Sequence, residues 1–171
     1  PTVSITGATT ICQGLTTSLS PSTGGTWSSS NPAVATVTNT GVVTGVSPGT
    51  ATFTFTNSST TCPSNATAPV TILGLPAISY SGSSTLCIGG TTTLSPTSGG
   101  TWLSTNPTVA SVTNQGVVTA LSAGNSTFRF TNSSTGCVSN DSGILIVNPK
   151  PQPIITGPSE ICIGATTTIL P

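Results

Sequence analysis

The sequence predicts an all-β protein built head to tail from small sandwiches, and three observations carry that prediction. A block of 75 residues occurs twice without a gap, placing Trp27 against Trp102, Cys12 against Cys87 and Cys62 against Cys137. No segment has the apolar spacing of a helix. Short runs rich in Thr, Ser and Val are closed again and again by Gly, Pro and Asn, the punctuation of strands and turns. A unit of this length can bury its own core, unlike the 20–50 residue units of solenoids. The expected domains are therefore residues 1–75, residues 76–150, and the opening of a third copy at 151–171, the chain being a piece of a longer array.

Within the first copy, Val3 and Ile5 alternate with polar neighbours in a short edge strand ended by Gly7. Ile11-Cys12-Gln13-Gly14 reads as a turn, and Thr16–Ser20 as a second strand stopped by Pro21 and the Gly24-Gly25 pair. Trp27 lies on a third strand that Asn31-Pro32 turns out of its path. Ala35 and Val37 make a fourth, and Asn39-Thr40-Gly41 turns it back into Val42–Val46. Thr50–Thr56 is the clearest strand, with Ala51, Phe53 and Phe55 on one face and threonines on the other, so one face is buried and one is wet. A polar stretch from Asn57 to Asn65 carries Cys62, and Val70 and Ile72 lie on the last strand.

Seven short strands in about 75 residues make a compact β-sandwich. Its expected core is Val3, Ile5, Leu19, Trp27, Val37, Val42, Phe53, Phe55, Val70 and Ile72. The second copy offers Ile78, Tyr80, Leu94, Trp102, Val112, Val117, Phe128, Phe130, Leu145 and Val147. Both tryptophans are read as packed between the sheets, the competing reading being a surface ring that stacks on sugar.

Charge excludes several functions. Only 2% of residues are charged, and the net charge is zero. Two basic residues cannot displace the counterions of a nucleic acid. No apolar run approaches the ~20 residues that span a bilayer. With no histidine, serine lacks the base a nucleophile needs. The first copy has no acid at all, so no pair of carboxylates for glycoside hydrolysis recurs. Asp141 alone is too little oxygen for calcium, and no close pair of cysteines starts a zinc site. The chain is therefore expected to be non-enzymatic, with no cofactor and no metal. Five cysteines at strict spacing point to disulfides and an oxidising, extracellular compartment, against the alternative of reduced, buried thiols.

The run Trp27-Ser28-Ser29-Ser30-Asn31-Pro32-Ala33-Val34-Ala35-Thr36-Val37, then Thr40-Gly41-Val42-Val43-Thr44-Gly45-Val46 and Gly49-Thr50-Ala51, resembles the bacterial immunoglobulin-like domain of group 2. The motifs around Cys12, Cys87 and Cys162 are similar to repeats of very large secreted surface proteins of Bacteroidota. The resemblance implies tandem immunoglobulin-like sandwiches on a bacterial cell surface, exported by type IX secretion and in some members linked to gliding motility. It implies a spacer or stalk in an adhesin or filament whose partners are neighbouring repeats of the same long chain. Two alternatives stay open. The repeats themselves form a weak, multivalent surface for polysaccharide or other cells, or they decorate a phage virion.

Antibody domains bridge their second and sixth strands across the core tryptophan, and the order Cys12, Trp27, Cys62 invites that pairing. The register opposes it. Cys12 precedes the second strand and Cys62 follows the sixth; those strands run the same way, so the two cysteines lie at opposite ends. A strand of six or seven residues spans about 20 Å, and bridged Cα atoms must lie within about 7 Å. Head to tail, the end bearing Cys12 abuts the end bearing Cys137. The expected bond is Cys12–Cys137 between domains, leaving Cys62, Cys87 and Cys162 to pair with further repeats.

Overall fold

The computed structural model describes residues 1–152, 162–164 and 166 of the 171-residue chain. The third copy expected over 151–171 therefore lies almost wholly outside the described residues. Within them all regular structure is strand, in two sandwiches that each close around a core of their own.

The first sandwich contains β1 (Ser4–Ile5), β2 (Thr10–Cys12), β3 (Thr16–Ser20), β4 (Gly25–Ser29), β5 (Ala35–Val37), β6 (Val42–Gly45), β7 (Gly49–Ala51), β8 (Phe53–Asn57) and β9 (Val70–Leu73). One sheet has the order β1-β3-β6-β5, antiparallel throughout. In the opposing layer β2 pairs parallel with β9, β9 antiparallel with β7, and β8 antiparallel with β4. The second sandwich repeats this plan at the 75-residue shift. Its strands are β10 (Ser79–Tyr80), β11 (Thr85–Cys87), β12 (Thr91–Ser95), β13 (Gly100–Ser104), β14 (Ala110–Val112), β15 (Val117–Ala120), β16 (Gly124–Ser126), β17 (Phe128–Asn132) and β18 (Leu145–Asn148).

Each core is centred on aromatic rings. Phe53, Phe55, Phe128 and Phe130 are fully buried, each removing from water an apolar surface worth roughly 2–3 kcal/mol. Trp27 lies tilted on Phe55 with centroids 5.2 Å apart, and Trp102 on Phe130 at 5.1 Å. The indole N–H donates to the carbonyl of Pro21 in one repeat and of Pro96 in the other, 2.9 Å in both. Both rings are buried, so neither is available to stack on a sugar.

The structure corrects the sequence reading in three places. The Ile11-Cys12 segment is not a turn but the end of β2, and Ile11 is buried. Its partner is the last strand, about sixty residues away, and such a parallel pairing leaves no local signal. The turn proper is Gln13-Gly14, where Gly14 takes φ +84°. The strand expected over Thr50–Thr56 divides at Thr52, which together with β2 gives nine strands rather than seven. The Thr52 N–H donates to the Ser30 hydroxyl (3.0 Å), while Ser30 N–H donates to the Thr52 carbonyl (2.9 Å). That side-chain bond replaces a ladder bond, so β7 and β8 serve different neighbours.

The third correction concerns Val42 and Val117, which were expected in the core but are exposed; Val43 and Val118 are wholly buried in their stead. A Val-Val pair has no alternation from which to read its phase. Gly41 decides it. At φ +80° it closes the turn, and its carbonyl accepts the Leu19 N–H at 2.8 Å, which locks Val43 beside Thr17 and Val37 on the inner face. A Cβ at Gly41 would lie 2.6 Å from the Leu19 carbonyl oxygen, so only glycine fits. Beyond these corrections, the polar stretch after β8 is bonded back to that strand. The Phe53 and Phe55 N–H groups donate to the hydroxyls of Thr67 (3.1 Å) and Ser64 (3.0 Å), with Thr67 and Ser64 N–H returning bonds to the same two residues. Hydroxyls here take the part of a missing strand.

Candidate functional site

Two turns meet where the sandwiches join. The first follows β2. Gln13 N–H donates to the Leu73 carbonyl (2.8 Å), Gly14 N–H to the Gly45 carbonyl (2.9 Å), and Leu15 N–H back to the Cys12 carbonyl (3.0 Å). These bonds tie the turn to the ends of β9 and β6. Cys12 therefore sits beside Leu73, at the edge where the chain leaves through Gly74-Leu75-Pro76.

The second turn follows β17. The Asn132 side-chain oxygen accepts the N–H groups of Ser134 (2.9 Å) and Thr135 (3.1 Å), an Asx turn of the kind that asparagine supports. Gly136 takes φ +71°, and Cys137 N–H donates to the Thr135 hydroxyl at 3.2 Å. Asn132 N–H closes the turn on the Cys137 carbonyl (3.0 Å). Both cysteines are thus held by their own domain's backbone, one at the upper end of the first sandwich and one at the lower end of the second.

The structure joins Cys12 to Cys137 by a disulfide with Cα atoms 5.6 Å apart, within the usual range for such bonds. Both are buried in the joint, whereas Cys62, Cys87 and Cys162 are free and exposed. Cys62 follows β8 at the end of the first sandwich remote from Cys12, so no bond forms within a sandwich. Around the disulfide an apolar cavity of about 160 Å³ is lined by Cys12, Gln13, Leu15, Leu75, Gly136 and Val138. A larger open cleft lies along the linker, lined by Gln13 of the first repeat, Gly74-Leu75-Pro76 and Asn140 of the second. No acid or base lines either space, so neither offers a proton-transfer group. Among the described residues, no three His, Cys, Asp or Glu come together to hold a metal.

The only ion pair among the described residues lies on the outer face of the second sandwich, where Arg129 forms a two-point contact with Asp141. The Arg129 hydrogen bond and charge hold the Asp141 carboxyl below its ordinary range, and the guanidinium is raised in return. Sequence reasoning passed over this pair, because two charges twelve residues apart have no visible relation until β17 and the following hydroxyl-bonded segment align them.

The model of the bacterial Ig-like domain (group 2) family matches residues 1–68 and again 77–139. The chain belongs to that family. The two matched ranges of this group 2 Ig-like chain fall on the two sandwiches. Among solved structures, the chain is similar to a C-terminal 282-residue fragment of intimin in complex with the intimin-binding domain of the translocated intimin receptor. The identity is 17%, over 79% of this chain and 60% of that one, with a TM-score of 0.43. It is also similar to the adhesin InvE of Yersinia pseudotuberculosis (14% identity, 86% of this chain and 58% of that one, TM-score 0.30). Domains 4 and 5 of the S-layer protein SbsC are another such structure (22% identity, 75% and 71%, TM-score 0.27). The chain thus spans about three fifths of the intimin fragment's length. No curated protein matches it. No helix among the described residues is long and apolar enough to cross a membrane.

Proposed function

We propose that this chain is a non-catalytic spacer: group 2 Ig-like domains in series that hold a functional end away from a bacterial surface and transmit tension. The observation that supports this most is the Cys12–Cys137 bond. Each sandwich has a complete core without the other, so the bond is not needed to finish a fold. What it removes is the hinge at Gly74-Leu75-Pro76. Thr, Ser and Asn side chains keep the near-neutral surface hydrated, as suits an extracellular fibre. The domain bounds 1–75 and 76–150, and the Bacteroidota, type IX and gliding context implied by the resemblance, belong to this reading.

Small-angle scattering on the 171-residue chain before and after reduction tests it. A spacer gives an elongated particle whose distance distribution broadens when the bond is reduced, while circular dichroism stays that of folded sandwiches. An unchanged distribution after reduction would remove the stiffening role.

One observation favours the adhesive alternative. The second sandwich exposes Leu103, opposite Arg129 in register, together with Ile144 and Ile146, where the first repeat has Ser28, Thr54, Pro69 and Thr71. Binding of the isolated chain to polysaccharide or cells, lost on Leu103→Ser and Ile144→Ser together, would move the function from spacing to adhesion.

A further inference from the structure

We propose that the Cys12–Cys137 bond is a tension bypass. When the chain is pulled along its length, the load runs through two short backbone runs that the bond joins, and both hydrophobic cores lie off that path. From the spacer reading, on which this rests, it takes only that the chain is pulled from its two ends.

The first run climbs the first sandwich. Ser4 pairs with Ser20, at the end of β3 far from the Gln13-Gly14 turn. Gly7 N–H then donates to the Ser18 carbonyl, and the Ala8 carbonyl accepts the Thr17 hydroxyl, so the chain advances steadily along β3. It crosses to the other layer and ends as β2, with Cys12 beside Leu73 and its carbonyl accepting the Leu15 N–H of the turn. Residues 4–12 thus lead from one end of the sandwich to the other.

The second run climbs the second sandwich. Val138 pairs with Thr131, Ser142 N–H donates to the Phe128 carbonyl, and Val147 pairs with Gly124. One number rises as the other falls, so residues 138–147 form a single run antiparallel to β17 and then β16. It starts at the joint and finishes at the far end.

The bond connects the top of the first run to the foot of the second. Pro1 and Asn148 are therefore joined covalently through residues 1–12 and 137–148 alone. The sequence separation of 125 residues between the cysteines leaves Gln13 to Gly136 outside that path. Trp27, Phe55, Trp102 and Phe130 all lie in the bypassed part. Each run of twelve residues reaches at most about 40 Å when fully extended, and each already traverses a sandwich, so little length is held in reserve. Without the bond, tension has to leave β2 through its three parallel pairs with β9, pass Gly74-Leu75-Pro76, and cross from β11 to β18 in the same way. Those ladders are then loaded in shear, and a sandwich whose ladder parts unravels whole.

Stretching single molecules in optical tweezers tests the bypass. The full chain is tethered by peptide tags at its two termini and pulled with and without a phosphine reductant. The reduced chain is expected to lengthen in two steps of about 200 Å, each a unit of ~70 residues at roughly 3.4 Å per residue less its folded span. The oxidised chain should lose both steps and lengthen by less than about 30 Å over the same forces, which is the slack left in two short runs. The segment after residue 148 is common to both conditions and cancels. Cys12→Ser without reductant should behave as the reduced chain, and Cys87→Ser as the oxidised one. Gradual lengthening of the oxidised chain beyond that bound, with no long step, would overturn the bypass and leave the joint standing. One long step with one of under about 60 Å would place a bond inside a sandwich, since such a bond hides most of one unit. Two long steps would mean no bond. Either result would overturn the joint itself, and the main support of the spacer reading with it.

Discussion

Cys12 and Cys87 occupy the same step of the same strand, at the ends of β2 and β11, each beside the last strand of its sandwich. One is 8% exposed and bonded; the other is open to solvent. Cys137 and Cys62 differ likewise, on turns held by the same Asx pattern. A cysteine's fate in this chain is thus decided by the neighbouring domain and not by its own fold. The cores teach the reverse. Trp27 with Phe55, and Trp102 with Phe130, have nearly the same separation and tilt, because packing inside a sandwich answers only to residues that repeat with it.

Removing the bond should have the largest effect on this contrast. The Cys12–Cys137 bond closes a loop with a sequence separation of 125 residues, and chain-entropy scaling gives about 4–5 kcal/mol for so long a loop. Cys12→Ser is expected to lower the denaturation midpoint and split a coupled transition into two. Cys87→Ser, at the equivalent step, leaves the midpoint within experimental scatter. Urea titration followed by tryptophan fluorescence checks both.

The second comparison sets adjacent valines against each other. Val43→Thr places a hydroxyl in a fully buried site and should destabilise the first repeat by about 1–3 kcal/mol. Val42→Thr, one residue earlier, should change stability by less than ~0.5 kcal/mol. Equal effects would mean that the inner face of β6 is assigned to the wrong residues.

A third contrast is a hydroxyl that is satisfied in one repeat and not in the other. Thr17 donates to the Ala8 carbonyl at 2.8 Å, whereas Thr92, its counterpart, is the only buried side-chain polar atom without a partner among the described residues. Thr17→Val should cost about 1 kcal/mol, and Thr92→Val should stabilise by a similar amount. Calorimetry of the two variants should give melting shifts of opposite sign.

The smallest effect belongs to Arg129 and Asp141, both on the surface and screened by salt. The Asp141 carboxyl titrates below its unfolded value of 3.8. The stability it contributes is therefore full above that value and is lost as pH falls through the lower, folded one. The first repeat, with Thr54 and Ala66 there, has no such pair. A midpoint difference between the chain and its Asp141→Asn variant at neutral pH should vanish in strong acid and shrink in high salt.

Much of the fold was legible because it repeats and alternates. Trp27, Phe53, Phe55, Leu19 and Ile72 announce a two-layer β structure through period-two spacing, and Gly41 announces its turn. Features that depend on partners distant in the chain were not legible. The parallel pairing of Ile11 with Ile72 and the hydroxyl ladder from Ser64 and Thr67 to β8 leave no periodic trace. The Arg129–Asp141 contact likewise exists only once strands are aligned.

By itself, then, the sequence determined the all-β class, the 75-residue unit and the absence of histidine chemistry, since composition and periodicity are properties of a linear string. Tertiary structure decided which valine of a pair is buried, where a strand breaks, and how far Cys12 and Cys137 are shielded while Cys62 and Cys87 stay exposed. Those outcomes depend on what lies opposite each residue in space, and for Cys12 that is a turn belonging to the next domain.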